Sequence, residues 1–198
     1  MGCGGQGTWQ SGEGMRSKVR GFTLVELAVT LAVAAILLAL ATPSFAELLR
    51  RNRLAAANNE LVTALNVARA EALRRGRPVS ICASADQRSC AGNADWGTGW
   101  VVFEDNVTTG APGAPAAQSA DYDVRMISVS PAMEGGFLLG GTDSWYRFTP
   151  SGSLGWSDIG GGSERSFVLR NETCKGTEAR RITVNRIGRI RSAAEACP

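Results

Sequence analysis

The sequence predicts an α+β protein, with one long N-terminal helix packed on a C-terminal domain of antiparallel strands. Two observations predict this fold class. Residues 22–75 contain no glycine and a single proline, Pro43, which is typical of a long helix. From Gly76 onward, short apolar runs alternate with clusters of Gly, Pro, Asn, Asp and Ser, which is typical of strands and turns. With 198 residues and 44% hydrophobic content, the chain can form one core and carry an additional segment.

The composition argues against an enzyme. The chain has no histidine, which removes the commonest general base and the commonest metal ligand. It has no CxxC pair, no phosphate-binding loop and no paired-acid motif, so we expect neither a cofactor nor a metal. The net charge is only +3, so an electrostatic partner would have to bind a local patch.

Residues 1–41 divide into a polar leader and an apolar segment. Residues 1–21 are Gly-rich, end in a short basic stretch and are not expected to fold. Residues 22–41, FTLVELAVTLAVAAILLALA, are long enough to span a bilayer as a helix. One carboxylate, Glu26, lies inside that segment, and placing it in a membrane costs about 2.5–3.5 kcal/mol. We therefore expect this charge to have a partner.

Two other interpretations of the apolar segment are a secretory signal peptide cleaved after Ala46 and a simple membrane anchor. The segment is longer than the ~7–15 apolar residues of a signal peptide, and neither interpretation explains Glu26. The distribution of charge does not predict which end of the apolar segment faces the cytoplasm, because three basic residues precede the segment and three follow it. These residues are Arg16, Lys18, Arg20, Arg50, Arg51 and Arg53.

The stretch GFTLVEL, after a short basic leader, resembles the N-terminus of type IV pilins and type II secretion pseudopilins. The resemblance implies that a prepilin peptidase cleaves after Gly21 and that the new N-terminal residue, Phe22, is N-methylated. It also implies that Glu26 pairs with the N-terminal amine of a neighbouring subunit during assembly. An ammonium group would then offset the burial of this carboxylate.

Residues 42–76 are expected to continue the helix as an amphipathic half, with a kink at Pro43. An apolar stripe at helical spacing predicts the face that packs on a sheet. Its members are Leu54, Leu61, Leu65, Ala68 and Ala72. The basic cluster of Arg50, Arg51 and Arg53 is interpreted as a solvated or inter-subunit face of the helix, with lipid headgroups as the alternative contact.

Residues 77–198 are expected to form the β-rich domain, with eight candidate strands. These are PVSICAS, GWVVFED, VRMISVS, FLLGG, SWYRFTP, SFVLRN, RRITVN and GRIRSA. Residues 106–121 are interpreted as a long exposed loop. The stretches WGTGWVVFED and YRFTPSGSLG resemble the GspH/FimT family of minor pilins and pseudopilins, in which FTPSGSLG matches a strand–Gly-turn–strand segment.

Four of the five cysteines form two local pairs in the sequence, as expected of disulfide bonds in a periplasmic pilin domain. Cys82 with Cys90 would close a small loop, and Cys174 with Cys197 would tie down the C-terminal strands. Such bonds persist in oxidising compartments such as the periplasm. The alternative is four buried free thiols. Cys3 lies in the leader and would be lost on processing.

The C-terminal segment is locally basic. Residues 164–198 hold eight basic and four acidic residues, a net charge of +4. Asn185 to Gly188 is expected to form a hairpin turn, with Arg186 at the turn and Arg189 and Arg191 on one strand face. Guanidinium groups clustered in this way suit phosphates. Gly188, Arg189, Ile190 and Arg191 resemble the GRxR motif with which FimT-type minor pilins bind DNA in natural transformation.

The sequence thus predicts a minor pilin or pseudopilin that assembles into a type IV pilus. It is expected in the bacterial inner membrane as a single-pass protein with its C-terminal domain in the periplasm. After assembly it is expected in a pilus or pseudopilus, at the tip of the fibre and at the cell surface in the case of a pilus. Expected partners are the prepilin peptidase, other pilins or pseudopilins and double-stranded DNA. The alternative is an H-type pseudopilin of a type II secretion system that binds no DNA, in which the arginines form a solvated sheet edge.

Overall fold

The computed structural model describes residues 21–106, 125–157 and 164–198. For residues 40–44, 156, 157 and 164, the description covers the backbone alone. The predicted leader, apart from Gly21, and nearly all of the predicted loop 106–121 therefore lie outside the described residues. The chain divides into two compact units, Met1–Phe45 and Ala46–Pro198, which are treated separately below.

The first element is a helix, α1, which spans Leu24–Arg75 and thus begins two residues after the predicted start at Phe22. It ends at Gly76, whose left-handed backbone (φ 63°) is the usual glycine stop after a helix. The amide of Gly76 donates to the carbonyl of Ala72 at 3.1 Å and closes the last turn. The kink at Pro43 stays a prediction, since the side chain of Pro43 lies outside the described part.

In the first unit, large apolar side chains lie on all sides of α1, and each is more than half exposed. They are Leu24, Val25, Leu27, Val29, Leu31, Val33, Ile36, Leu37, Leu38 and Phe45, and Phe22, which precedes the helix, is exposed as well. Within the part of the chain that the structure describes, no helix is both long and apolar enough to cross a membrane. The predicted span 22–41 extends into residues 40–44, where side chains are not described.

In the second unit, α1 packs through the predicted stripe. Leu61, Leu65, Ala68 and Ala72 are fully buried, and Leu54 is 8% exposed. At the end of the helix, hydrogen bonds from Arg74 and Arg75 lower the pKa of Glu71 to about 2.

The strands that follow are antiparallel and form two sheets. The strands are β1 Val79–Ala83, β2 Trp100–Glu104, β3 Met126–Ser130, β4 Phe137–Gly141, β5 Trp145–Phe148, β6 Leu154–Ser157, β7 Glu164–Asn171, β8 Ala179–Asn185 and β9 Ile190–Glu195. One sheet has the order β3-β2-β1-β5-β6 and the other has the order β4-β7-β8-β9.

The strand β6 was not among the eight strands predicted from apolar runs. Its sequence, LGWS, is short and contains Gly and Ser, which are typical of turns. Its pairing with β5 completes the strand–Gly-turn–strand segment that the resemblance implied.

Both sheets contribute to one core with α1. The aromatic centre of that core is a contact between Trp96, Tyr146 and Phe167, with ring centroids 4.8–5.5 Å apart. Phe167 and Ile182 pair across β7 and β8 on the core face of the second sheet. A smaller cluster of Cys82, Val101, Phe103 and Trp145 is buried on the other face of the first sheet. The predicted α+β class is confirmed.

A charged pair is buried on that same face of the first sheet. The Arg147 side chain is 1% exposed, and the Asp105 side chain is fully buried. The Nε and Nη2 atoms of Arg147 donate to Oδ2 of Asp105 at 2.9 and 2.8 Å. The hydroxyl of Ser80 donates to the same oxygen at 2.7 Å. Because both ions are removed from water, this contact compensates part of the cost of burying each of them.

Two disulfide bonds join the predicted pairs of cysteines. The Cα atoms are 5.5 Å apart in Cys82–Cys90 and 5.8 Å apart in Cys174–Cys197, within the usual range for a disulfide. Within the first loop, the carboxylate of Asp86 accepts hydrogen bonds from the backbone and side chain of Ser89 and from the amide of Arg88. These bonds hold the pKa of Asp86 well below its usual range.

Candidate functional site

The predicted assembly segment lies at the start of α1. The Thr23 hydroxyl accepts a hydrogen bond from the backbone amide of Glu26 at 3.2 Å, which caps the helix. Glu26 lies in the first turn, where a negative charge is favoured by the helix dipole. The Glu26 side chain is exposed and forms no ion pair with any described residue. Its carboxylate is therefore accessible to a positive group from outside the chain.

The predicted hairpin between β8 and β9 is present, with Val184 opposite Ile190 and Thr183 opposite Arg191. In the connecting turn, the amide of Gly188 donates to the carbonyl of Asn185 at 2.9 Å. The side-chain oxygen of Asn185 accepts the amide of Arg189 at 2.8 Å. Gly188 has φ +74°, a backbone conformation that favours glycine. We call residues 185–191 the arginine turn.

The arginine turn is attached to the rest of the domain at three points. The Nε atom of Arg69, in α1, donates to the carbonyl of Gly152 at 2.8 Å, and its Nη2 atom donates to the carbonyl of Ile187 at 3.2 Å. The amide of Leu154 donates to the carbonyl of Arg186 at 3.0 Å. Gly188 packs so closely that an added Cβ would lie 2.1 Å from the carbonyl oxygen of Gly152. The turn is therefore held in a defined conformation.

Three arginines of this turn, Arg186, Arg189 and Arg191, have exposed side chains. No side chain in the described ranges forms an ion pair or a hydrogen bond with their guanidinium groups. Two arginines of the neighbouring strands are compensated: Arg181 pairs with Glu195, and Arg165 pairs with Asp143. Arg180, at the far end of β8, forms no ion pair with a described residue but is half-buried. The exposed, uncompensated positive charge of this hairpin therefore lies at the turn and at the start of β9.

The predicted basic cluster on α1 is largely neutralised. The side chain of Arg50 contacts Glu47 and donates to Glu178 at 3.0 Å, while Arg51 donates to Glu47 at 2.7 Å. The hydrogen bond from Arg51 contributes most to lowering the pKa of Glu47 below its ordinary value. A cavity of about 260 Å³ beside these residues is also lined by Leu54, Phe137 and Arg180. With two arginines already paired, it is a poorer anion site than the arginine turn.

Sequence reasoning missed the residues that support the arginine turn. Arg69, Gly152 and Leu154 are distant from it along the chain. Gly152 and Leu154 lie in the stretch FTPSGSLG, but that pattern does not indicate a contact with the arginine turn. The role of Asn185 could have been found, because Asn followed by Gly three residues later is typical of a tight turn. Among the described residues, no group of His, Cys, Asp and Glu side chains is arranged to hold a metal ion.

Comparison with known proteins defines the class. Residues 16–42 match the prokaryotic N-terminal methylation motif, and residues 57–188 match the family described as type II transport protein GspH. A chain with this motif, one long helix and antiparallel sheets is a subunit of the pilin class. Because the second match covers most of the sequence, the chain belongs to the GspH family. Family and fold are those of structural pilins, and the prepilin motif implies membrane anchoring before assembly.

The fold is also similar to a solved structure, the type IV minor pilin FimU of Pseudomonas aeruginosa strain PAO1. The similarity covers 75% of this chain and 98% of that chain at 24% sequence identity, with a TM-score of 0.52. A second crystal form of FimU matches 72% of this chain and 98% of that chain at 22% identity, with a TM-score of 0.48. None of the curated protein sequences matches this chain. The chain is thus a minor pilin or pseudopilin, as the sequence predicted.

Proposed function

We propose that this chain is a minor pilin of a type IV pilus that captures extracellular double-stranded DNA through the arginine turn. The observation that carries the proposal is the set of three exposed, uncompensated guanidinium groups on a turn with a defined backbone. Arginine offers planar donors that match phosphate oxygens and keeps its charge at any physiological pH. Contacts of this kind bind DNA independently of its sequence and weaken steeply with salt.

The position of the turn fits capture at an accessible end of the domain. Its support, Arg69, lies roughly 35 Å along α1 from the start of the second unit, at 1.5 Å per residue. This end of the helix is remote in sequence from the apolar segment that would enter the membrane or the fibre core. In the proposed assembly, the subunit lies at the fibre tip, where this end meets the solvent.

Assembly itself would depend on the N-terminal segment. In this proposal, a prepilin peptidase cleaves between Gly21 and Phe22, Phe22 is methylated, and residues 22–41 anchor the chain in the inner membrane with the second unit in the periplasm. During assembly, the exposed apolar side chains of α1 become covered by neighbouring helices. The Glu26 carboxylate then pairs with the N-terminal ammonium group of a neighbouring pilin.

Replacement of Glu26 by Ala is expected to reduce incorporation into fibres roughly ten- to hundred-fold, because a hydrogen bond to a charged group contributes about 1.5–3 kcal/mol. The measurement is the amount of this subunit in sheared fibres relative to the amount in membranes. Glu47→Ala serves as the control, since Glu47 is also on α1 but pairs within the chain. Equal incorporation of the Glu26→Ala and unaltered chains would contradict the assembly role.

The double substitution Arg189→Ala, Arg191→Ala is expected to weaken binding to double-stranded DNA about ten-fold or more at moderate salt. It should also reduce the slope of log K against log salt by about two, because each lost phosphate contact accounts for about 0.9. The measurement is a titration of labelled duplex at two or more salt concentrations. Arg53→Ala, Arg88→Ala is the matched control, because both residues are exposed and neither forms an ion pair with a described residue.

The alternative function is that of an H-type pseudopilin in a type II secretion system. The family match favours it as much as the pilus, because the family takes its description from that transport machine. If the unaltered chain does not bind duplex DNA at any salt concentration, the pseudopilin function is better supported than DNA capture. The arginine turn would then be a charged surface next to the edge strand β9.

A further inference from the structure

The tip of the arginine turn carries an apolar side chain, Ile187. It is 67% exposed, more than any other large apolar side chain described in residues 46–198. Single exposed apolar residues are common on protein surfaces, so exposure alone assigns no role. The position is unusual, because turns favour Gly, Pro, Asn, Asp and Ser, and a β-branched residue contributes nothing to turn formation. Ile187 also lies directly between Arg186 and the Gly188–Arg189 pair.

The backbone under Ile187 is fixed on both sides. Its own carbonyl accepts a hydrogen bond from Arg69, and the preceding carbonyl, of Arg186, accepts one from Leu154. On the other side, Gly188 packs against the backbone of Gly152. A side chain that projects from so constrained a backbone loses little entropy when it is inserted into a partner.

We propose that Ile187 is a wedge that enters the minor groove of duplex DNA and inserts between base pairs, while Arg186 and Arg189 bind the flanking phosphates. This inference rests on the proposed function and adds the groove, the contact and the deformation of the DNA. Proteins that bind the minor groove use Ile, Leu, Phe and similar residues in this way. They partly unstack a base step and bend the duplex by about 20–90°.

The sequence of the arginine turn favours a duplex over a single strand. Proteins that bind single strands stack the bases on aromatic side chains. The arginine turn, residues 185–191, contains no aromatic residue. An aliphatic wedge gains contact when a base step of a duplex opens, and the arginines on both sides match phosphates along the groove. The wedge also favours pyrimidine–purine steps such as TA, which open more easily than A-tracts.

The experiment uses the full-length chain in nanodiscs of zwitterionic lipid and a duplex of about 20 base pairs with a donor and an acceptor dye at its ends. Energy transfer reports bending, and anisotropy reports affinity. Ile187→Ala is expected to bind about five- to ten-fold more weakly, to abolish the change in energy transfer and to leave the salt slope unaltered. The control Val129→Ala removes another exposed β-branched side chain, on β3, and should change neither readout.

A second comparison uses one duplex rich in TA steps and one A-tract duplex. The unaltered chain should bind the first several-fold more tightly, and Ile187→Ala should bind both equally. If Ile187→Ala retains the affinity, the bending and the preference of the unaltered chain, the proposed insertion of Ile187 is wrong. The proposal that the arginines bind DNA is then unaffected. If the unaltered chain binds no DNA, both proposals fail. If it binds without bending the duplex, the proposed insertion of Ile187 is wrong and only the proposed phosphate contacts are supported.

Discussion

Replacement of Gly188 by Ala is expected to destabilise residues 46–198 by about 2–5 kcal/mol. Two effects add up in this value. The left-handed backbone at φ +74° disfavours any side chain, and the new Cβ would lie 2.1 Å from the carbonyl oxygen of Gly152. The nearest atoms are backbone atoms and Nε of Arg69, so the turn can accommodate the methyl group only if it moves away from its support.

The measurement is the free energy of unfolding from denaturant titration, with Gly176→Ala as the matched control. Gly176 also has a left-handed backbone, at φ +61°, but an added Cβ there meets no atom within 4 Å. The control should therefore lose only about 1–2 kcal/mol, from the backbone term. If both variants lose the same amount, the close packing of the arginine turn on the β5–β6 turn is not what requires glycine at position 188.

The second large effect is expected at the buried ion pair. Asp105→Ala should destabilise the domain by about 3–5 kcal/mol, because it removes the carboxylate that accepts two hydrogen bonds from the buried guanidinium group of Arg147. The hydroxyl of Ser80 loses its acceptor in the same substitution. Unfolding by denaturant, followed by tryptophan fluorescence, measures the change, since Trp145 lies under the Arg147 guanidinium at 5.1 Å.

Two controls separate burial from charge. Arg77→Ala removes an exposed partner of Glu104, which keeps its ion pair with Arg75, and should cost less than about 1 kcal/mol. The double variant Asp105→Leu, Arg147→Met removes both buried charges and should be more stable than Asp105→Ala. If Asp105→Ala is no less stable than Arg77→Ala, the pair is not the main compensation of these charges.

Both effects bear on the proposed function, because it requires a defined surface on a stable domain. The arginine turn depends on α1 through Arg69 and on the first sheet through Leu154, so it is sensitive to changes far from it in sequence. A loss of DNA binding in a destabilised variant would therefore not identify a DNA contact. The Arg189→Ala, Arg191→Ala variant avoids this difficulty, since neither guanidinium group is bonded within the described residues.

The sequence by itself determined the features that depend on local chemistry. The absence of glycine and of proline other than Pro43 from residues 22–75 predicted α1, and the stripe from Leu54 to Ala72 predicted its buried face. Asn185 and Gly188 predicted the hairpin turn, and spacing together with the family resemblance predicted both disulfide bonds. These predictions succeed because backbone preference and side-chain periodicity act over a few residues.

The tertiary structure alone decided which charges are compensated and what supports the turn. In sequence, Arg147, Arg165, Arg181 and Arg189 are equivalent basic residues in or next to predicted strands. Only the folded chain places Asp105, Asp143 and Glu195 against the first three. It likewise brings Arg69 and Gly152 beneath Gly188, although they lie 119 and 36 residues before it in the chain. Contacts between residues so far apart depend on how the two sheets pack on α1, and no local pattern records that packing.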